Sequence, residues 1–248
     1  MNSLVRWLRK AVVMIVLLVA LFLFANINST TTMGINGQVT EYKIPLYLKV
    51  LNFYDRHFNY QHLAREITKN AKSEKDVALS LALWVVQNIK KVPVGVEIVD
   101  NHPWTIVERR LGGSDQFSDI LSVLLVYAGV DAFFRNIETR PQPGGGRYPL
   151  TFFLIDGAWS VIDPYQGFYF VNDRGAFASL ADLKKGDWKA VGVEHQAVFR
   201  ESLSTFYSGL FSQLPSREEI DRTNIYERGG RANTQSPIHR FLFQLHRY

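Results

Sequence analysis

Residues 111–130, LGGSDQFSDILSVLLVYAGV, decide how this chain folds. Gly112-Gly113 breaks whatever precedes it, and Ser114 then opens an apolar periodicity. Phe117, Ile120, Leu121, Leu124, Leu125 and Ala128 recur at the i, i+3, i+4, i+7 spacing of an amphipathic helix. Gly129 fits its C-terminal stop. Working downstream, Ala132 to Glu138, Leu150 to Ile155 and Trp159 to Ile162 read as strands. Arg140-Pro-Gln-Pro-Gly-Gly-Gly makes an exposed loop between the first two, and Asp156-Gly157 signals a hairpin between the last two. Gly167 to Val171 adds a short strand and Leu180 to Lys185 a helical turn. One long helix feeding an antiparallel sheet predicts an α+β fold with the helix packed on the sheet.

Upstream, Ser73-Glu74-Lys75-Asp76 has the pattern of a capping box and opens VALSLALWVVQNIKK. Val77, Leu81, Trp84, Val85 and Ile89 share one face of that helix, and Pro93 and Gly95 end it. Gln61 to Asn70 is a helix, and Asn101 to Arg110 a turn followed by a short one. Val39 to Phe58 mixes aromatic and β-branched residues, leaving helix and strand both open. Asn28 to Gln38, rich in Ser, Thr, Asn and Gly, reads as a linker. Beyond Ala190 the signal fades: Glu201 to Gln213 is helical, Arg217 to Pro237 polar and loop-like, and Phe241 to Leu245 a small apolar patch.

Ala11 to Ile27 carries no charge. As a helix it spans about 26 Å, close to the hydrocarbon thickness of a bilayer. A signal anchor and a cleaved signal peptide both fit; the length of the run and the bulky Leu23 before Phe24-Ala25 favour the anchor. Arg6, Arg9 and Lys10 then place residues 1–10 in the cytoplasm and the rest outside it, the periplasm in a bacterium. The division expected is 1–10 cytoplasmic, 11–27 in the lipid bilayer, 28–60 linker and lead-in, 61–200 main domain, and 201–248 C-terminal helix and tail. Of the 248 residues, 47% are hydrophobic and 21% charged, so a packed core is expected rather than disorder. No cysteine is present, so no disulfide and no thiolate nucleophile. The net charge of +5 is scattered rather than gathered on an aromatic-studded face, which argues against nucleic acid. His57, His62, His195, His239 and His246 lack ligand spacing, so no metal is expected. Gly144-Gly145-Gly146 opens no helix, so no phosphate-bearing cofactor is expected either.

Pro103-Trp104, Ser114-Asp115-Gln116, Gly129, Tyr148, Asp156-Gly157, Trp159 and Asp163-Pro164 together resemble, in order and register, a transglutaminase-like domain of the papain-like cysteine proteinase fold. The resemblance runs from about Lys72 to Leu183. It is greatest to the membrane-tethered branch found beside bacterial surface-polysaccharide genes, and so implies a single-pass protein of the inner membrane with its domain in the periplasm. In that family a cysteine heads the core helix, where the helix dipole and free N–H groups favour an anion, a strand histidine takes its proton, and an aspartate orients the histidine. Here the cysteine position holds Ser114 and the histidine position Tyr148; Asp163 alone matches. The resemblance thus implies a degenerate triad, with Trp104, Gln116 and Trp159 as candidate cleft residues.

An ordinary phenol is protonated at neutral pH and accepts protons poorly. No histidine lies between His102 and His195 to replace it, and His102 reaches the site only in a different geometry. Loss of working triad members costs on the order of 10⁴ to 10⁶ in turnover. Three functions follow. The first is an inactive binding or scaffolding subunit, with a polysaccharide or peptide ligand and membrane assembly proteins as partners, serving surface-polysaccharide biosynthesis or export. The second is a serine-dependent hydrolase or acyltransferase using Ser114. The third is an assembly role for the tail Arg217 to Tyr248. Simpler readings stand beside them: Ser114 as a helix N-cap, Asp163 as a turn former, Trp104 and Trp159 as core aromatics, and Tyr148 as a plug in a former cleft.

Overall fold

The computed structural model describes residues 2–35, 38–93, 95–96, 102–139, 146–194 and 200–222. In chain order the elements are α1 (Asn2–Ala25), β1 (Asn28–Ile35), β2 (Gln38–Pro45), α2 (Leu46–Thr68), α3 (Glu74–Asn88), β3 (Lys90–Lys91), α4 (Pro103–Arg109), β4 (Leu111–Gly112) and α5 (Ser114–Tyr127). They continue with β5 (Ala132–Glu138), β6 (Arg147–Ile155), β7 (Ala158–Asp163), β8 (Phe168–Val171), α6 (Leu180–Lys185), β9 (Lys189–Gly192), α7 (Glu201–Phe211) and α8 (Arg217–Arg222).

The fold is α+β. Strands β5 to β9 form one antiparallel sheet in sequence order, and α5 packs on it. The Asp156-Gly157 corner has φ of 51° and 73°, the paired positive values that a two-residue hairpin turn needs. Gly129, at φ 89°, turns the chain off the end of α5 into β5. Side chains alternate along each strand, so the two sheet faces feed two separate cores. Phe153 and Ile155 of β6 and Ile162 of β7 meet α2, α3, α4 and α5 on one side. Leu150 and Phe152 of β6, Trp159 and Val161 of β7, and Phe168 and Phe170 of β8 meet α6, α7 and α8 on the other. Helices on both faces leave β6 almost no solvent side, which is why PLTFFLI is nearly unbroken in its apolarity.

Helix α5 is more enclosed than its amphipathic pattern suggests: every residue from Gln116 to Leu125 is buried. Its polar positions are satisfied inside. Ser118 Oγ donates to the Pro149 carbonyl at 3.4 Å, Thr151 Oγ1 donates to the Ser118 carbonyl at 3.1 Å, and Ser122 Oγ donates to the Asp119 carbonyl at 2.8 Å. The first two of these bonds join the helix to β6, and a hydrophobicity count cannot show them.

Three further differences from the sequence reading have local causes. The expected linker forms β1, paired along its length with β2, as the run of threonines permits. Helix α3 is capped as expected, Ser73 Oγ accepting from the Asp76 N–H at 3.1 Å. It stops at Asn88 rather than near Pro93, because Lys90 and Lys91 pair in parallel with Leu111 and Gly112. The polar stretch after Arg217 begins with the helical turn α8, whose Ile220 is buried in the second core. The boundary expected at residue 200 falls between β9 and α7, and α7 packs in the same core as the sheet. The loop 140–145, the end of the polar stretch and the patch at Phe241 to Leu245 lie outside the described residues. Among the described residues, Val5–Ala25 is the stretch long and apolar enough to cross a membrane, and its side chains make no core.

Candidate functional site

Tyr148, near the start of β6, and Asp163, at the end of β7, lie on the same sheet face. Their side chains meet: the Tyr148 hydroxyl donates to Asp163 Oδ2 at 2.6 Å. A second phenol makes the same contact, the Tyr207 hydroxyl of α7 donating to the same oxygen at 2.6 Å. The other carboxylate oxygen, Oδ1, accepts the Gln166 backbone N–H at 2.9 Å. Asp163 has no solvent exposure and neither has Tyr207. The sequence-expected turn role of Asp163 is therefore met as well, because Oδ1 holds the Pro164-to-Gly167 corner.

Charge and burial work against each other here. Burial pushes the Asp163 carboxyl above the usual carboxylate range, while the two hydroxyls and the backbone N–H groups of Gln166 and Tyr165 pull it back. Burial, reinforced by the Asp163 charge, pushes both phenols well above their ordinary value. Tyr148 thus stays protonated at neutral pH and its hydroxyl is already donated. It cannot act as the base that a serine nucleophile needs.

Ser114 is the first residue of α5 and half-buried. It is not the N-cap; Gly113 holds that place, and its N–H is satisfied by Gln116 Oε1 at 2.8 Å. Gln116 therefore has a definite task, closing the start of the core helix. No hydrogen bond links Ser114 to Tyr148 or Asp163 among the described residues. Tyr148 and Asp163 point into the core that holds α7, whereas α5 packs on the other face of the sheet. Tyr165, two residues after Asp163, sits edge-on to Phe117 of α5 with ring centroids 5.3 Å apart, and the Lys91 ammonium lies 4.4 Å from the Tyr165 ring.

The two tryptophans do not share a cleft. Trp104 of α4 packs edge-on to Tyr60 at 5.1 Å in the helical core, its indole N–H donating to Glu108 Oε1 at 2.9 Å. Trp159 is buried in the core on the opposite sheet face, with its indole N–H 3.4 Å from Asp221 Oδ1. Both serve packing. His102, in front of Trp104, caps α4 by accepting the Trp104 N–H on Nδ1 at 3.2 Å. Among the described residues no group of three or more potential metal ligands gathers. His195, His239 and His246 lie outside them.

Sequence reasoning missed Tyr207. The only hint was an aromatic run, Phe206-Tyr207 followed by Phe211, in a segment 44 residues beyond Asp163. Its ring is held by Phe170 at 4.9 Å and Phe211 at 5.5 Å, and Phe206 packs edge-on to Tyr148 at 5.0 Å. Helix α7 is thereby seated over the aspartate.

No family model and no curated protein matches the chain. Solved structures similar to parts of it include a proposed cysteine protease from Cytophaga hutchinsonii, at 15% identity and a TM-score of 0.39, covering 62% of this chain and 59% of that one. A proposed protease from Parabacteroides distasonis is similar at 11% identity and 0.37, covering 71% and 40%. A TGase is similar at 14% and 0.35, covering 55% and 43%. The chain spans about two-fifths to three-fifths of the length of these structures. Likenesses this slight leave the weight on the element order and on the site itself.

Proposed function

We propose that this chain is a membrane-anchored, transglutaminase-like domain without catalytic activity, acting as a binding or scaffolding subunit. The observation that carries the reading is the double phenol contact on Asp163. The carboxylate that would orient a histidine is instead occupied by Tyr148 and Tyr207, and neither Asp163 nor Tyr207 is reached by solvent. Among the described residues no imidazole is hydrogen-bonded to it, and no base is hydrogen-bonded to the Ser114 hydroxyl. What is left of the constellation is a structural tie between β6, β7 and α7. The expectation that a serine-dependent hydrolase works through Ser114 draws no support from this geometry.

Helix α1 anchors the domain in this reading, with residues 1–10 cytoplasmic and the domain on the periplasmic side of a bacterial inner membrane. The basic cluster before the apolar run supports that orientation. A role in surface-polysaccharide biosynthesis or export rests on the sequence resemblance alone. The test is rescue of a deletion strain. Wild-type chain and Ser114→Ala, at equal membrane levels, should restore surface polysaccharide equally. Rescue by wild type but not by Ser114→Ala contradicts an inactive subunit, and unchanged polysaccharide in the deletion strain removes the pathway assignment.

A further inference from the structure

The first half of α2 carries an apolar stripe that the domain leaves uncovered. Tyr47, Leu51, Tyr54 and Phe58 recur at i, i+4, i+7 and i+11 and so share one side of the helix. Leu51 is 57% exposed, Phe58 60% and Tyr47 42%, while Tyr54 stacks on Phe58 with centroids 6.3 Å apart. Tyr42 and Leu48, close by in sequence, are exposed as well. The core-facing side of the same helix is a different set of residues: Tyr60 and Ala64 are fully buried. Asn52 and Asp55 are exposed at the flank of the stripe, and beyond Phe58 the exposed positions become His62, Arg65, Glu66, Lys69 and Asn70. The uncovered apolar surface therefore stops halfway along the helix.

The half that bears it starts where α1 ends. The Leu46 N–H donates to the Ile27 carbonyl at 2.9 Å, two residues past the end of α1. In the first turn of α2, Lys49 Nζ donates to Ser29 Oγ at 3.0 Å and to the Thr30 carbonyl at 2.6 Å, tying the helix to β1 at the same level. Contiguous exposed apolar surface marks a contact site. A stripe that begins at a membrane span and turns charged farther along α2 fits a lipid surface. Tyrosine, with an apolar ring and a polar tip, suits the boundary between headgroups and acyl chains.

We propose that the Tyr47, Leu51, Tyr54 and Phe58 face of α2 lies in the headgroup–acyl boundary of the bilayer, holding the domain against the membrane by a second contact beside α1. This rests on α1 being the membrane anchor, and the experiment separates the two. The chain has no cysteine, so single-cysteine variants label cleanly. Leu18→Cys in α1, Leu51→Cys and Phe58→Cys on the stripe, and Glu66→Cys on the distal half of α2 would each carry an environment-sensitive fluorophore. The full chain is reconstituted in phosphatidylethanolamine–phosphatidylglycerol vesicles whose acyl chains bear a spin-label quencher. The proposal expects quenching at Leu18, Leu51 and Phe58 to exceed that at Glu66 several-fold. Quenching at Leu18 with Leu51 and Phe58 no different from Glu66 overturns the stripe and leaves the anchor intact. No quenching at Leu18 overturns both. Self-quenching at Leu51 that grows with protein density, with the lipid quencher ineffective, assigns the face to a second copy of the chain and also overturns the proposal.

Discussion

Replacing Tyr207 by phenylalanine isolates the contact on which the reading of the site rests. The ring keeps its packing against Phe170 and Phe211, and only the hydroxyl bonded to Asp163 Oδ2 at 2.6 Å disappears. A hydrogen bond to an ionised group contributes about 1.5–3 kcal/mol net. Neither Tyr207 nor Asp163 is reached by solvent, so water cannot replace the missing donor, and the cost lies in the upper part of that range, about 2–3 kcal/mol. For a domain of this size that corresponds to a midpoint lower by about 5–10 °C. The penalty depends on pH, and its sign follows from Asp163. Because burial raises the folded-state carboxyl, the folded chain holds this proton more tightly than the unfolded one does. The contribution of Asp163 to stability is complete below the ordinary carboxylate range and is lost as pH rises through the raised value. The phenol hydroxyls offset that loss. Removing one should therefore hurt most at neutral pH and least in acid, where a neutral carboxyl needs its donors less. Urea unfolding of the full chain in detergent, followed by tryptophan fluorescence at neutral and mildly acidic pH, reads both effects. A loss below about 0.5 kcal/mol at neutral pH, or one equally large in acid, refutes the reasoning.

Tyr148→Phe removes the other donor at a partly exposed position where water substitutes, so it should cost about 1 kcal/mol; because both hydroxyls share Oδ2, the double variant should depart from additivity in a double-mutant cycle. Gln116→Ala strips the Gly113 N–H of its acceptor at the head of α5 and should cost about 1–3 kcal/mol in the same unfolding assay. Phe211→Ala opens a cavity beside Trp188, Phe170 and Tyr207 in the second core and should cost about 3–5 kcal/mol, enough to loosen α7 and expose Tyr148 to hydrogen exchange.

The elements that a period can reveal were readable in advance. The 3.6-residue spacing from Phe117 to Leu125 located α5, and the Asp156-Gly157 turn fixed the register of β6 against β7. That register brings Tyr148 diagonally onto Asp163, although the expected strands, Leu150 to Ile155 and Trp159 to Ile162, stopped short of both residues. Contacts made at long sequence separation were not readable. Tyr207 reaches Asp163 only because α7 folds back over the sheet, and nothing local to Glu201 to Gln213 specifies that return. The parallel pairing that ends α3 at Asn88 depends on a partner more than 20 residues away. Trp104 and Trp159 looked like neighbours because both flank the site in sequence; the alternation of strand faces sends Trp159 to the opposite side of the sheet. Ser114 looked like a cap because serine favours that position, but the chain places Gly113 there and uses Gln116 to satisfy it.

Whether the proton on Ser114 has an acceptor can be measured directly, by treating the folded, membrane-reconstituted chain with a serine-reactive fluorophosphonate and locating any adduct by mass spectrometry. With Asp163 held by two phenols and no base hydrogen-bonded to Ser114 among the described residues, the hydroxyl should stay as inert as that of any surface serine, and Ser114→Ala should give the same background. An adduct on Ser114 that is absent from Ser114→Ala would mean that a base operates there, and the inactive reading would be wrong.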